Sequence, residues 1–86
     1  MLVKLYGSHL CQDTMFALMK LKCENVSVEF KNISVDFQAL KEFMAIREKD
    51  TMFAEVKKNN GVGMPLLVYE DGSKTFDLQE VLKNAN

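Results

Sequence analysis

The chain has one proline, two cysteines, a single histidine and no tryptophan among its 86 residues, and each scarcity removes a class of structure. Two cysteines, Cys11 and Cys23, allow one bridge at most, too few for a disulfide-stapled scaffold. One histidine with two cysteines at unsuitable spacing does not close a zinc site, which takes four ligands, so no metal is expected. No apolar run approaches the roughly 18 residues of a membrane-spanning helix. An excess of one charge sign is missing too: 11 Lys and Arg oppose 12 Asp and Glu, for a net charge of −1. Dispersed cations in that balance do not supply the clustered positive surface that phosphate binding needs. Neither nucleic acid nor membrane is an expected partner.

What is present is ordinary globular material. Apolar residues make up 48% of the chain and charged residues 27%, the proportions of a folded domain rather than a disordered or low-complexity one. That length leaves room for one core, so residues 1–86 read as a single domain, expected to be monomeric. The start, Met1-Leu2-Val3-Lys4-Leu5-Tyr6, alternates like a strand and lacks the layout of a signal peptide. The expected location is cytoplasmic, where reducing conditions disfavour a bridge between Cys11 and Cys23.

Hydrophobic spacing gives the order of elements. Leu2 to Tyr6 reads as a central strand ending at the turn signal Gly7-Ser8. Met15, Phe16, Leu18, Met19 and Cys23 recur at spacings of three and four, which predicts a helix over Gln12 to Lys22 with that face inward, ended by Glu24-Asn25. Val26, Val28 and Phe30 alternate with Ser27, Glu29 and Lys31, the period of a strand with one buried face, over Val26 to Ile33. The connection between the two strands holds a helix and suits a parallel crossover rather than a hairpin. Asp36 is placed to cap a second helix with Phe37, Leu40, Phe43, Met44 and Arg47 along one side. Asp50 restarts the chain into a short third helix carrying Met52, Phe53 and Val56 inward, closed by Asn59-Asn60-Gly61. From Pro65, Leu66 to Tyr69 forms a hairpin with Lys74 to Phe76 around Asp71-Gly72. Asp77, three residues before Glu80, has the layout of a capping box at the start of a last helix through Leu82 or Lys83. The order is β-α-β-α-α-β-β-α. Met15, Met19 and Met44 fall at core spacings and read as packing. Lys57-Lys58 reads as a solvated helix face.

Cys11 is the residue with the most chemistry. It falls between the first strand and the first helix, where unpaired backbone N–H groups and the positive end of the helix favour a thiolate. A cysteine so placed ionises below its ordinary range of about 8.5 and is a nucleophile at neutral pH. Asp13 opposes this if its carboxylate turns toward the sulfur, and otherwise complements the helix dipole. Thr14 is placed either to donate a hydrogen bond to the thiolate or to make a local backbone bond. His9 is either a nearby cation and proton acceptor or a solvated loop residue.

Through Leu5-Tyr6-Gly7-Ser8-His9-Leu10-Cys11-Gln12-Asp13-Thr14 the chain resembles the glutaredoxin family of the thioredoxin superfamily, whose cysteine also lies five residues after a strand-one tyrosine. A second match is Val62-Gly63-Met64-Pro65-Leu66-Leu67-Val68, at the place of the family's Thr-Val-Pro and the following strand. The resemblance extends over essentially the whole chain. It implies a thioredoxin-like α/β fold, a four-stranded mixed sheet with helices on both faces. It implies that Cys11 is the catalytic nucleophile, that Pro65 follows a cis peptide bond, and that Met64 offers its backbone to the peptide portion of glutathione or a substrate. Asp77 and Leu78 match the start of the last helix, where the family holds the γ-glutamyl end of glutathione. Glutathione is the implied co-substrate, and glutathionylated or disulfide-containing proteins are the implied partners.

The departures define the variant. Thr14 stands where dithiol members have their second cysteine. Cys23 cannot replace it, because 12 helical residues at 1.5 Å each separate the two by roughly 18 Å, beyond the ~7 Å between Cα atoms that a bridge tolerates. Cys23 is expected to be a structural residue, core-facing or partly exposed. A monothiol cycle through Cys11 is what remains. Lys74-Thr75 replaces the family's glycines before the last helix, and Ser8 stands where many members carry a lysine for a glutathione carboxylate. Two other readings stay open: a binding module of the same fold without turnover, and a glutathione-dependent iron-sulfur cluster carrier, although Cys11-Gln12-Asp13-Thr14 lacks the Cys-Gly-Phe-Ser of such carriers.

Overall fold

The computed structural model describes residues 1–85. Its elements are β1 (Leu2–Gly7), α1 (Gln12–Cys23), β2 (Ser27–Asn32), α2 (Phe37–Lys49), a 3-10 turn at Thr51–Phe53, α3 (Ala54–Lys58), β3 (Leu66–Tyr69), β4 (Lys74–Thr75) and α4 (Leu78–Ala85). The strands form one mixed sheet in the order β2-β1-β3-β4. β1 runs parallel to β2 with Leu5 opposite Phe30, and antiparallel to β3 with Leu5 opposite Leu67. β3 and β4 are antiparallel, with Leu67 opposite Thr75. The connection through α1 is therefore a parallel crossover, and Asp71-Gly72 turns the hairpin, closed by the Tyr69 N–H donating to the Ser73 carbonyl at 2.8 Å.

Alternation along β1 separates two apolar layers. Val3 and Leu5 pack with Ala17 and Leu21 of α1, Leu67 of β3, and Val81 and Leu82 of α4. Tyr6 points the other way, into a layer with Phe43 of α2, Phe53 and Leu66. A slip of one residue in β1 would exchange the two layers, so burial on both faces holds the register. The Tyr6 hydroxyl donates to Glu42 at 2.8 Å. Glu42 also pairs with Lys31 at 3.3 Å, which ties α2 to the outer strand β2.

The inward face of α1 differs from the one its apolar spacing predicts. Thr14, Ala17 and Leu21 are its buried residues. Met15, Phe16 and Met19 are 46, 51 and 56% exposed, and Cys23 is exposed as well. Apolar residues line both sides of this helix, so periodicity alone does not decide between them, and the side with small Thr14 and Ala17 is the one that fits against the sheet. In α2 the buried residues are Ala39 and Phe43. Met44 is 58% exposed and Phe37 is 73% exposed, the latter beneath the Lys41 ammonium at 5.7 Å from its ring centroid. Arg47 is not a packing residue either: its guanidinium donates to the Gly61 carbonyl at 2.6 Å and to the Val62 carbonyl at 3.0 Å.

Side-chain caps and left-handed asparagines set the helix ends. Asp36 accepts from the N–H groups of Gln38 and Ala39 at 3.0 and 3.3 Å, Asp50 from Met52 at 3.0 Å, and Asp77 from Gln79 at 2.9 Å. Asn25 and Asn60 both sit at φ 59°. Beyond each helix end the chain folds back, with Val26 N–H donating to the Leu21 carbonyl and Gly61 N–H to the Val56 carbonyl. The capping box expected at α4 does not close. Tyr69 takes the Glu80 carboxylate through its hydroxyl at 2.7 Å, and the Asp77 N–H donates instead to Thr75 Oγ1 at 3.0 Å.

This assignment of faces on α1 is testable by truncation. Leu21→Ala is expected to cost about 2–5 kcal/mol in urea unfolding, and Met19→Ala less than about 0.5 kcal/mol. Equal losses would contradict the packing described.

Candidate functional site

Cys11 is the N-cap of α1, extended at φ −98° and ψ 121°. Its N–H donates to the Ser8 carbonyl at 3.0 Å, and its own carbonyl accepts from Met15 N–H at 3.1 Å. The thiol makes no capping hydrogen bond to the helix. The residues around it hold its pKa below the ordinary thiol value, chiefly through the Thr14 hydroxyl. Partial burial opposes that, the backbone N–H groups of Thr14 and Asp13 reinforce it, and the Asp13 charge weakly opposes it. A hydrogen-bond donor that stabilises the anion lowers a pKa, whereas desolvation and a like charge raise it.

Thr14 is fully buried. Its Oγ1 accepts from the Ser8 N–H at 3.3 Å, which uses one acceptor site and leaves the hydroxyl its own hydrogen to donate. Gly7, the last residue of β1, makes the space. A Cβ at that position would stand 2.5 Å from Oγ1 and 2.7 Å from Cγ2 of Thr14, so any side chain there displaces the hydroxyl. The missing side chain at Gly7 is thus what lets Thr14 lie where it does.

His9 and Ser8 are engaged elsewhere. His9 Nδ1 lies 3.0 Å from Asn32 Nδ2. Because the amide nitrogen is a donor, Nδ1 is the acceptor there and the neutral ring carries its proton on Nε2. Ser8 is 3% exposed. Its Oγ shares a hydrogen bond with the Ser34 hydroxyl and accepts from Leu10 N–H at 3.0 Å.

An apolar groove of about 490 Å³ runs beside the start of α1. Asp13, Phe16 and Ala17 of α1 form one wall, Val56 and Gly63-Met64-Pro65 a second, and Phe76 with Leu78 a third. The Met64–Pro65 peptide is cis. Gly63 has φ +92° and passes so close to Phe53 that a Cβ would meet Cε2 of the ring at 2.5 Å. Phe53 is fully buried and packs edge-on against Phe43 at 5.8 Å and Phe76 at 5.0 Å between centroids. The core thereby continues into the groove, and Arg47 holds the loop before Gly63 through two carbonyls.

Of the residues singled out in the sequence, Asp13, Met64, Pro65 and Leu78 share the groove, while Cys11 and Thr14 sit at the helix end that carries Asp13. His9 meets Asn32 instead of the thiol, and the Asp77 carboxylate caps α4. Gly7, Phe16, Arg47 and Phe76 belong to the site without standing out in the sequence as site residues. Gly7 had a signal, a glycine directly after a buried strand and before the cysteine loop. Arg47 had none, since its partners are backbone carbonyls 14 and 15 residues away. Among the described residues no three His, Cys, Asp or Glu side chains gather as a metal-binding group, and no helix is long and apolar enough to cross a membrane. No family model, curated protein or solved structure matches the chain.

The Thr14 contact has a readable consequence. In a Cys23→Ser background, the pH midpoint for alkylation of Cys11 by iodoacetamide is expected to rise in Thr14→Val and in Gly7→Ala, and to stay low in Thr14→Ser. Thr14→Val also strands the buried Ser8 N–H, at about 1–3 kcal/mol. A thiol with a lowered folded pKa adds stability above its unfolded pKa and loses it as pH falls through the folded value. Wild type should therefore gain stability relative to Cys11→Ser as pH rises across that window. An unchanged alkylation midpoint in Thr14→Val would contradict the role given to the hydroxyl.

Proposed function

We propose that the protein is a glutaredoxin-like thiol-disulfide oxidoreductase of thioredoxin-like fold that reduces mixed disulfides with glutathione by a monothiol mechanism. The observation that carries this reading is a cysteine at a helix start whose anion is favoured by a buried hydroxyl, beside an apolar groove bounded by a cis proline. Cys11 is the nucleophile, Thr14 the group that favours its thiolate, and Met64, Pro65 and Leu78 line the substrate groove. The α/β order and the mixed sheet are compatible with that fold.

The cycle has two exchanges. The Cys11 thiolate attacks the glutathione sulfur of a protein mixed disulfide, the protein thiolate leaves and takes a proton from water, and Cys11 carries glutathione. A second glutathione thiolate attacks that sulfur, oxidised glutathione leaves, and the Cys11 thiolate is restored. No second protein thiol is needed. Cys23 lies at the far end of α1 and is exposed, so it takes no part.

One observation favours a second reading, a binding module without turnover. Ser8, at the position of a carboxylate-binding lysine in the family, is turned inward on Ser34, and among the described residues the groove lining contains the carboxylate Asp13 and no cation. Turnover of a glutathionylated peptide with excess glutathione separates the two. Activity that survives Cys23→Ser and is abolished by Cys11→Ser is the expected result. A wild type that forms a glutathione adduct but does not turn over would overturn the enzyme reading in favour of the module.

A further inference from the structure

The groove beside Cys11 selects by polarity and by charge. We infer that it receives an extended polypeptide carrying a Lys or Arg next to the target cysteine and an apolar residue one position further, the cation meeting Asp13 and the apolar side chain entering between Phe16, Pro65 and Phe76. This rests on the reading of Cys11 as the attacking thiolate and extends it to disulfides in which that thiolate attacks the polypeptide's own cysteine sulfur, whereas in the glutathione cycle it attacks the glutathione sulfur.

Size, lining and spacing carry the inference. About 490 Å³ is in the range of sites that enclose a small guest, roughly 300–1,000 Å³. Phe16 and Phe76 remain 51% and 36% exposed, apolar area that an apolar guest would remove from water. Asp13 is the one charged residue of the lining among the described residues, so a cationic guest is attracted and an acidic one repelled. A helix rises 1.5 Å per residue, which places Asp13 about 3 Å and Phe16 about 7.5 Å beyond Cys11 along the axis. For an extended peptide laid along α1 from Cys11, which advances about 3.3 Å per residue, those offsets match its first and second residues away from the disulfide.

The test uses the full chain with Cys23→Ser and peptides whose cysteine is activated as a mixed disulfide with thionitrobenzoate. Cys11 attacks the peptide sulfur, the sulfur-sulfur bond to the low-pKa thionitrobenzoate breaks, and that coloured thiolate leaves, so its release reports the rate. Peptides centred on Leu-Lys-Cys-Lys-Leu, Leu-Ser-Cys-Ser-Leu and Ser-Glu-Cys-Glu-Ser serve either strand direction. Each rate is divided by that of the same variant with the thionitrobenzoate disulfide of mercaptoethanol, which cancels changes in thiol reactivity. The expected preference for the first peptide over the third is about tenfold or more. Asp13→Asn should lower it by about two- to fivefold, Asp13→Lys should lower it further, and Phe16→Ser should slow the Leu-Ser-Cys-Ser-Leu peptide. Glu48→Gln, the same charge change on α2, should leave it unaltered. Equal normalised rates for all three peptides, or a preference untouched by both Asp13→Asn and Phe16→Ser, would overturn the inference. Failure of Cys11 to react even with the mercaptoethanol disulfide would instead overturn the nucleophile reading.

Discussion

The chemistry proposed for this domain depends on a hydroxyl buried between a strand and a helix. Thr14 is one of the residues that fasten α1 to the sheet, and it can lie there because Gly7 has no side chain to fill the space. The Ser8 amide occupies an acceptor site of the hydroxyl, and the same hydroxyl is the chief cause that holds the Cys11 thiol below its ordinary pKa. Packing of α1 and the ionisation of Cys11 therefore share one residue. Burial of Thr14 is what fixes its direction, since an exposed threonine would share its hydrogen bonds with water.

The rest of the site is arranged around that joint by the second apolar layer. Phe43, Phe53 and Phe76 form an edge-on series from beneath the sheet to the groove. Gly63 lets the backbone cross Phe53 on its way to the cis Met64–Pro65 peptide, and Arg47 secures the two preceding carbonyls. The groove is thus an extension of the core and not an independent loop structure. Its walls come from elements on both faces of the sheet, so its shape depends on the register of β1, the strand common to both layers.

Much of the architecture could be read from the residues because local signals agreed with one another. Asp36, Asp50 and Asp77 cap where capping residues were expected, Asn25 and Asn60 take the left-handed turn, and the alternation of Val26, Val28 and Phe30 marks the strand beside β1. Apolar spacing points to the wrong face of α1 because Met15, Phe16 and Met19 outweigh Ala17 and Thr14 in any count of apolar residues, although the smaller pair fits the sheet. In α2 likewise, Ala39 and Phe43 are the buried residues and Met44 is exposed. In the site, Cys11, Thr14 and Pro65 stood out by position and resemblance. Gly7 and Arg47 act through long-range contacts, and Phe16 and Phe76 matter through the surface they leave uncovered, which spacing does not reveal.

If Cys11 is the reactive thiol proposed here, its environment and not its exposure makes it so. Cys23 offers the direct comparison, because it is the more exposed of the two and lies on the same helix. Wild-type protein treated at a pH below the ordinary thiol range with less than one equivalent of an alkylating reagent, then mapped by mass spectrometry, reads both sites in one sample. Label predominantly on Cys11 in the folded protein and evenly distributed after denaturation is the expected result. Label following exposure, with Cys23 modified first in the folded state, would contradict it.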